Sequence, residues 1–324
     1  MSIQPDCTIK LEPAIGSPRK NQITIENEQL QELQRRFALA IVLIPFLGSI
    51  LAIGLLYVSG IGLVEIALLI SMYALTTVGV SVGFHRHFAH RAFKTKQVIR
   101  ITLAILGSMA AQGPIIFWVA THRRHHQYSD LPGDPHSPRL YEDGIRGHLL
   151  GLWHAHVGWL FDSDVTNSVL FAKDLLPDIA IARVNRLYLI WVILGLAIPA
   201  VLGGILTGTS IGAFQGFMWG GIVRIFLAHN ATWSLNSITH VFGRRSFDSH
   251  DYSRNIGWLA ILTVGEGWHN NHHAFPNSAR FGLKWWQIDQ GYWVIRALEV
   301  AGMVWDVKVP TAGMIEAKKA ASRK

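Results

Sequence analysis

Cysteine is nearly absent from this sequence of 324 residues, which contains one, Cys7. A single cysteine excludes an internal disulfide framework and a zinc site built from cysteine pairs. Charge is also scarce, because only 15% of the residues are Asp, Glu, Lys or Arg, against roughly a quarter in soluble domains. The sequence has no HExxH motif, and no dinucleotide-binding glycine fingerprint follows a strand pattern. These absences argue against a common zinc protease and against an internal nicotinamide site.

Half of the residues are hydrophobic, and many of them lie in long apolar runs without charged residues or with only one. The runs cover residues 37–58, 61–84, 187–207 and 211–228. Each has about 20 residues, the length that crosses a bilayer core as a helix. Short links near residues 59–61 and 208–210 join the runs in pairs. We therefore predict four transmembrane helices in two hairpins.

Basic residues lie outside the short links of these hairpins, and the net charge is +8. The flanking basic residues are Arg19, Lys20, Arg35, Arg36, Lys318, Lys319, Arg323 and Lys324. Because cytoplasmic segments are enriched in Lys and Arg, both termini and the middle of the chain are expected in the cytoplasm. A basic membrane rim then explains the net charge, and no nucleic-acid partner is expected.

A fifth apolar run at residues 98–118 needs a different interpretation. Histidine clusters flank it at 85–90 and 122–126, and a crossing segment would place them on opposite sides of the membrane. Arg100, Gln112, Gly113 and Pro114 also favour a re-entrant or in-plane helix. A true fifth span without a shared site is the alternative. The expected organisation is a cytosolic segment at 1–36, a membrane domain at 37–309 and a basic tail at 310–324.

Sixteen histidines are the main anomaly of the composition. Three groups stand out, namely HRHFAH at 85–90, HRRHH at 122–126 and HNNHH at 269–273. Neutral imidazole is the commonest protein ligand for first-row transition metals. Helical residues three and four apart share a face, so the second and third groups should each present three rings together. His85 and His90 are five apart and converge only if the helix ends or bends, whereas His87 is expected to be a non-ligand.

The number of histidines points to two metals. Eight ring nitrogens exceed the three or four that a zinc ion takes. All-nitrogen ligation favours iron over copper and zinc, and a zinc pair that performs hydrolysis is the alternative. Two crossings between the first and third groups return the chain to one side. The predicted fold is therefore all-α and integral to the membrane, with a cytosolic helical cap that holds a dinuclear metal site.

The three histidine boxes resemble those of the membrane fatty-acid desaturases, in particular the stearoyl-type Δ9 group. GEGWHNNHHAFP at 265–276, DPH at 134–136, HVGW at 156–159 and NSITH at 236–240 are similar as well, so the resemblance covers residues 37–309. It implies two irons, molecular oxygen as co-substrate and two electrons per turnover. The implied ligands are His85, His90, His122, His125, His126, His240, His269, His272 and His273, with Asn236 holding a water on one metal.

The resemblance also assigns the substrate. Gln112, Trp118 and Thr232 match the residues that hold the bend of the acyl chain, and no catalytic residue beyond the metal ligands is implied. Acyl-CoA members carry Arg-Asp before the second box, where this chain has Ala120-Thr121, and an Asn where it has Gly113. Coenzyme A is therefore in doubt, and a membrane glycerolipid or an acyl carrier protein remains open as the carrier. Electrons are expected from a separate donor such as ferredoxin or cytochrome b5.

We accordingly predict an oxygen-dependent oxidoreductase that introduces a cis double bond, Δ9 in the group it resembles, into a saturated acyl chain. A hydroxylase or an acetylenase with the same metal site is the alternative. The product masses separate them, by loss of two hydrogens, gain of one oxygen or loss of four hydrogens. A non-enzymatic metal transporter would need charges deep in the spans, and only Glu65 and Arg224 occur, near span ends. Asp130, Asp134, Asp248 and Glu266 are candidate imidazole partners.

Overall fold

Helices dominate the computed structural model, which describes residues 20–162 and 164–321. Cys7 and the outer parts of the predicted terminal segments, residues 1–19 and 322–324, lie outside the described residues. The described strands have two residues each and form two antiparallel pairs, Thr24–Ile25 with Val165–Thr166 and Lys94–Thr95 with Val304–Trp305. The predicted all-α class is confirmed.

Four described helices are long and apolar enough to cross a membrane, as predicted. They are span helix 1 (Glu28–Ser59), span helix 2 (Leu63–Ala89), span helix 3 (Tyr188–Thr207) and span helix 4 (Ser210–His240). The most apolar windows of span helices 1 and 3 are only 22% and 17% buried, against 56% in span helix 4. Because such apolar surface is unfavourable in water, it indicates contact with lipid.

Capping residues explain where the two hairpins turn. Span helix 1 ends at Gly60, whose φ of 67° suits glycine, and the Glu65 carboxylate accepts a hydrogen bond from the Gly62 amide at 2.9 Å to open span helix 2. Span helix 3 ends at Gly208, with φ of 68°. The Thr209 hydroxyl then accepts from the Gly212 amide at 2.9 Å and opens span helix 4.

Small residues let the spans approach closely. A Cβ atom on Gly203 would lie 2.3 Å from the Gly212 carbonyl oxygen, and one on Gly216 would lie 2.2 Å from the Pro199 oxygen. Span helices 3 and 4 therefore pack through backbone contact, as membrane helices commonly do. Span helices 2 and 4 both contain π-helical segments, Gly79–Ala89 and Phe217–Val223.

The remaining described helices are shorter and include those that carry the second and third histidine boxes. They are Lys20–Ile23, Gln97–Met109, Ile115–Tyr128, Ile145–His156, Gly158–Phe161, Ser168–Phe171, Ile179–Arg186, Gly257–Leu262, His269–Ala274, Gln290–Val300 and Ala312–Ala321. The helix Gln97–Met109 has 13 residues and is about 20 Å long at 1.5 Å per residue. That length falls short of the roughly 30 Å of a bilayer core.

Candidate metal centre

The first histidine box lies at the π-helical end of span helix 2. The His90 amide donates to the His85 carbonyl oxygen at 3.0 Å, a bond that reaches back five residues. This i to i+5 spacing is the π-helical one, and it brings residues five apart onto one face. The two rings have centroids 4.8 Å apart. His87 points elsewhere, with Nδ1 at 3.2 Å from the Phe93 carbonyl oxygen.

The second and third boxes lie on the helices Ile115–Tyr128 and His269–Ala274, and each box divides between two clusters of rings. The five-histidine group consists of His85, His90, His122, His126 and His272. The four-histidine group consists of His125, His240, His269 and His273. The structure thus brings together all nine histidines named from the sequence. The three histidines of the second box are divided between the two groups, and so are those of the third box. In each case the face of the helix that carries the three rings borders both groups.

Within each group the Nε2 atoms converge. In the five-histidine group, Nε2 of His90 lies 2.8 Å from that of His122, and Nε2 of His272 lies 2.8 Å from that of His126 and 3.0 Å from that of His85. In the four-histidine group, Nε2 of His269 lies 3.1 Å from those of His240 and His273. His125 Nε2 is buried and has no hydrogen-bond partner among the described residues.

These separations bear on the coordination geometry that each group would give a metal. With a metal–nitrogen bond of about 2.05 Å, ligands at right angles are about 2.9 Å apart, whereas tetrahedral ligands are about 3.35 Å apart. The distances of 2.8–3.0 Å in the five-histidine group match the first value, and the 3.1 Å of the four-histidine group lies between the two. The imidazoles of each group are therefore close enough to share one ion, and the spacing in the five-histidine group suits a six-coordinate ion better than the tetrahedral geometry usual for zinc.

Four of the rings also bind a buried carboxylate through Nδ1, the nitrogen that does not face the other histidines of the group. The Nδ1 atoms of His125, His240 and His273 donate to Asp134, Asp130 and Asp251 at 3.0, 2.8 and 2.6 Å. His85 Nδ1 donates to Glu266, which also accepts from the Ser81 hydroxyl. A proton fixed on Nδ1 leaves the Nε2 lone pair free for a metal.

The charge states agree with this arrangement. Burial, followed by the electrostatic influence of the neighbouring His85 and His90, holds the pKa of His122 well below its usual range. Burial and neighbouring histidines likewise lower the pKa of His126, His269 and His272. Burial alone would raise the pKa of the Asp251 carboxyl, but the charge and hydrogen bond of His273 lower it overall. Neutral imidazole backed by ionised carboxylate is the form that binds a metal.

Sequence reasoning named three of these four carboxylates but missed Asp251. It proposed Asp248 instead, whose carboxylate accepts from Arg245 at 3.2 Å and from the His250 amide at 3.2 Å. It also placed Glu266 on the helical face of His269, whereas the structure pairs Glu266 with His85. The short helix that contains His269 begins at that residue, so Glu266 precedes it in a turn and faces span helix 2. Spacing within a loop carries no period that could have identified Asp251.

Two cavities adjoin the histidines. One is lined by residues that include His136, Trp159 and Trp233, and the other by residues that include Thr77, Val80 and Glu266. They share four lining residues, namely Trp118, His122, Thr232 and Asn236. We refer to the two together as the bent cavity and to the four shared residues as its bend. Asn236 and His122, a member of the five-histidine group, both line this bend.

The three residues expected to hold an acyl chain form one hydrogen-bonded unit at this bend. Gln112 Nε2 donates to the Thr232 hydroxyl at 2.8 Å, and Trp118 Nε1 donates to Gln112 Oε1 at 3.2 Å. The Trp118 ring stacks on His122 with centroids 5.1 Å apart. The unit joins span helix 4 to the helix of the second box.

A family model described as "Fatty acid desaturase" matches residues 62–306. The chain belongs to the fatty acid desaturase family. It is therefore an integral membrane oxidoreductase, as predicted. Members of this family carry histidine boxes of the kind that the two groups collect here.

Curated relatives share much of the chain. It is 57% identical over 300 residues, 92% of this chain and 94% of the relative, to "Hex-5-enoyl-[acyl-carrier protein] acetylenase" of Moorena producens (strain JHB). It is 37% identical over 243 residues, 74% of this chain and 70% of the relative, to "sn-1 stearoyl-lipid 9-desaturase" of a Synechocystis strain. An acyl-CoA 5-desaturase of Anemone leveillei is 38% identical over 247 residues, 75% of this chain and 71% of the relative.

Proposed function

We propose that this desaturase-family enzyme removes hydrogen from a short acyl chain carried by an acyl carrier protein, and that it forms a triple bond from an alkene. The convergence of nine imidazoles into two groups beside the bent cavity is the observation that carries the oxidative chemistry. The 57% identity to an acetylenase over nearly the whole chain supports the reaction and the carrier. Triple-bond formation was the alternative at the level of sequence, and the comparisons now favour it.

Iron is the proposed metal in both groups, held by the nine histidines, with Asn236 placed to hold a water. Two irons with O2 supply the oxidising power that cleavage of an unactivated C–H bond requires. Each step removes two hydrogens from the chain, takes two electrons and two protons from outside, and reduces one O2 to two waters. The carboxylates of Asp130, Asp134, Asp251 and Glu266 keep the imidazole nitrogens directed at the metals.

The cavity positions the chain. Its lining is mainly apolar, and the Gln112–Thr232–Trp118 unit marks the bend beside His122. A bent chain would present one carbon pair to the metals, because the walls leave it little freedom. The residues of the unit hold the chain and exclude water, and none of them takes part in bond cleavage.

The residues at positions 120 and 121 support a carrier other than coenzyme A. Ala120 and Thr121 stand where acyl-CoA members carry Arg-Asp, and both are buried here, at 0% and 5% exposure. Thr121 lines the cavity, and its hydroxyl has no partner among the described residues. Neither residue has a charged side chain that could bind the nucleotide of coenzyme A. This supports a carrier protein or a lipid as the acyl carrier.

Cis-Δ9 desaturation of a lipid-bound saturated chain is the second candidate. The 37% identity to a stearoyl-lipid 9-desaturase supports it, and the metal site serves either reaction. The two candidates differ in the substrate, in its carrier and in the product mass.

The electron donor is proposed to be an acidic protein such as ferredoxin or cytochrome b5 that docks on the cytoplasmic face, the side on which we place both termini. Arg139 donates to the His240 carbonyl oxygen at 3.1 Å, and Arg244 and Arg245 are exposed nearby in sequence. Burial and then the like charges of Arg139 and Arg245 lower the pKa of Arg254, which supports a basic surface here. Raising the salt concentration should then weaken donor binding.

The test uses the purified full-length enzyme, reduced ferredoxin and O2, with three substrates offered in parallel. These are six-carbon saturated and terminally unsaturated acyl chains on acyl carrier protein, and stearoyl lipid. We expect loss of two hydrogens from the alkenyl substrate to give an alkyne, with no product from a His125→Ala control. A Δ9 monoene from stearoyl lipid alone would support the second candidate. A hydroxylated product, with a gain of one oxygen, would contradict both.

A further inference from the structure

Three polar side chains are buried within span helices 3 and 4 and belong to neither histidine group. Span helix 4 extends to His240, so Arg224 lies near its middle and not near the span end expected from the sequence. Arg224, His229 and Tyr188 are 0%, 1% and 5% exposed. Polar groups inside membrane helices are costly unless they are paired, and such residues commonly serve the function of the protein. None of the three lines the bent cavity described above, so their role lies in what they hold.

All three bind one stretch of backbone, at the end of the helix Gln97–Met109 and in the loop that follows it. Arg224 Nη1 donates to the Met109 carbonyl oxygen at 2.7 Å, and His229 Nε2 donates to the Ala110 carbonyl oxygen at 2.9 Å. The Gly113 amide donates to the Tyr188 hydroxyl at 3.0 Å. Three side chains from two span helices thus hold residues 109–113.

The backbone needs these partners because it leaves helical geometry. Ala111 and Gly113 have positive φ angles of 59° and 107°, so the last carbonyl groups of the helix have no continuing helix to bind. Irregular backbone at membrane depth is tolerated only where protein groups satisfy it, since lipid offers no hydrogen bonds. A positive φ at alanine is also unfavourable and persists only where surrounding contacts impose it.

Gln112 is the residue that this stretch presents to the cavity. Its side chain binds Thr232 and Trp118 at the bend, beside His122. The backbone on either side, at Ala110 and Gly113, is held by His229 and Tyr188. The position of the bend relative to the metal ligands therefore depends on where these bonds place the loop.

We propose that Tyr188, Arg224 and His229 are positioning residues that fix the 109–113 backbone and thereby select which carbon pair of the acyl chain lies beside the metals. The proposal rests on the proposed function, because it requires an acyl chain in the cavity. Arg224 also donates to the Gly195 and Gly220 carbonyl oxygens, so its removal would disturb span packing. Tyr188 and His229 are the cleaner sites for a test.

The test compares Tyr188→Phe and His229→Leu with the wild type. The control is Tyr57→Phe, at a side chain on span helix 1 that is 92% exposed. His229→Gln keeps a nitrogen donor and serves as the conservative replacement. The measurements are the positions of unsaturation across acyl chains of different length, the product formed per O2 consumed, the iron per chain, and amide exchange of residues 109–113.

We expect Tyr188→Phe and His229→Leu to spread the unsaturation over neighbouring carbons and to lower product per O2 by about threefold to tenfold, the effect of one lost hydrogen bond. The 109–113 amides should exchange faster, whereas iron per chain stays as in the wild type. His229→Gln and Tyr57→Phe should behave as the wild type. Unchanged product positions and coupling in both variants, or loss of iron together with coupling, would overturn the proposal. A wild-type enzyme that oxidises no acyl chain would instead overturn the proposed function.

Discussion

The five-histidine and the four-histidine groups differ in how the surrounding protein supports them. In the four-histidine group three of the four rings are backed by a buried aspartate, and all four are buried. In the five-histidine group, His85 donates to Glu266, the one carboxylate partner that this group has among the described residues. Two of its rings, His122 and His126, are partly exposed. The five-histidine group borders the bent cavity through His85 and His122, whereas the other borders it through His269.

Under the proposed function, this difference predicts a division of roles between the two metals. A carboxylate behind an imidazole raises its basicity and fixes its orientation, so three of them should hold a metal in the four-histidine group more firmly. They would also place more negative charge beside that metal. The five-histidine group has more imidazoles and fewer carboxylates behind them, and two of its rings border the cavity, against one ring of the four-histidine group. The following predictions are ways to test this contrast.

Loss of one ligand from either group should have the largest effect. We expect His125→Ala and His272→Ala each to lower turnover below about 1% of wild type, because both metals are needed for one reaction. Each variant should lose about one of two irons per chain, from opposite groups. The measurement is turnover together with iron per chain by elemental analysis.

His87→Ala is the matched control for the ligand variants, since His87 lies in the first box but outside both groups. It should retain its iron and most of its turnover. Full activity in His125→Ala or His272→Ala would contradict the assignment of that residue, and loss of iron in His87→Ala would contradict the exclusion of His87 from both groups.

Removal of a carboxylate should have the next largest effect. Asp251→Asn and Glu266→Gln each keep the shape of the side chain but lose its charge, and we expect iron in the affected group to bind about 10–100-fold more weakly. Glu266→Gln should release iron sooner under a chelator, because no other described carboxylate backs its group. Equal release from both variants would show that the number of carboxylates does not determine how firmly each metal is held.

A bulky residue in the cavity should separate the substrate from the metals. Thr232→Trp would occupy the bend beside His122 and Asn236, so turnover should fall by about tenfold or more while both irons remain bound. Thr232→Ser retains the hydroxyl that binds Gln112 and is the control. An unchanged product profile in Thr232→Trp would remove Thr232 from the substrate site.

The boxes and the four spans were predictable because their signals are local. The length of an apolar run identifies a membrane helix, and histidines that are three or four residues apart on a helix have their imidazoles on one face. The pairing of His85 with His90 depended on a bend, which the structure explains by the π-helical bond from the His90 amide to the His85 carbonyl oxygen. Three features carry no such signal. They are the position of His125 in the four-histidine group, the pairing of Asp251 with His273, and the bonds of His229 and Tyr188 to the 109–113 backbone. Each joins segments far apart in sequence, through loops without a period.

A structural carboxylate in the cap provides the smallest expected effect and a control for the metal-backing ones. Asp174 accepts from Arg123 and Arg91 at 2.6 Å, and it is not one of the Nδ1 partners of the two histidine groups. Burial raises the pKa of its carboxyl, but the hydrogen bonds from Arg123 and Arg91 outweigh this and lower the pKa from 3.8 to about 2. A carboxyl whose pKa is lower in the folded than in the unfolded state stabilises the fold at any pH above the unfolded pKa. This stabilisation is lost as the pH falls from about 4 towards 2.

Asp174→Asn should therefore lower the free energy of unfolding by about 1 kcal/mol at neutral pH, after allowance for partial exposure of the pair, and by almost nothing near pH 2. Iron per chain and its resistance to a chelator should stay as in the wild type. The thermal midpoint in detergent, measured across this pH range beside Asp251→Asn, makes the comparison. If Asp174→Asn released iron as readily as Asp251→Asn, loss of any buried charge in the cap would suffice to loosen the metals, and the contrast between the two histidine groups could not be ascribed to their own carboxylates.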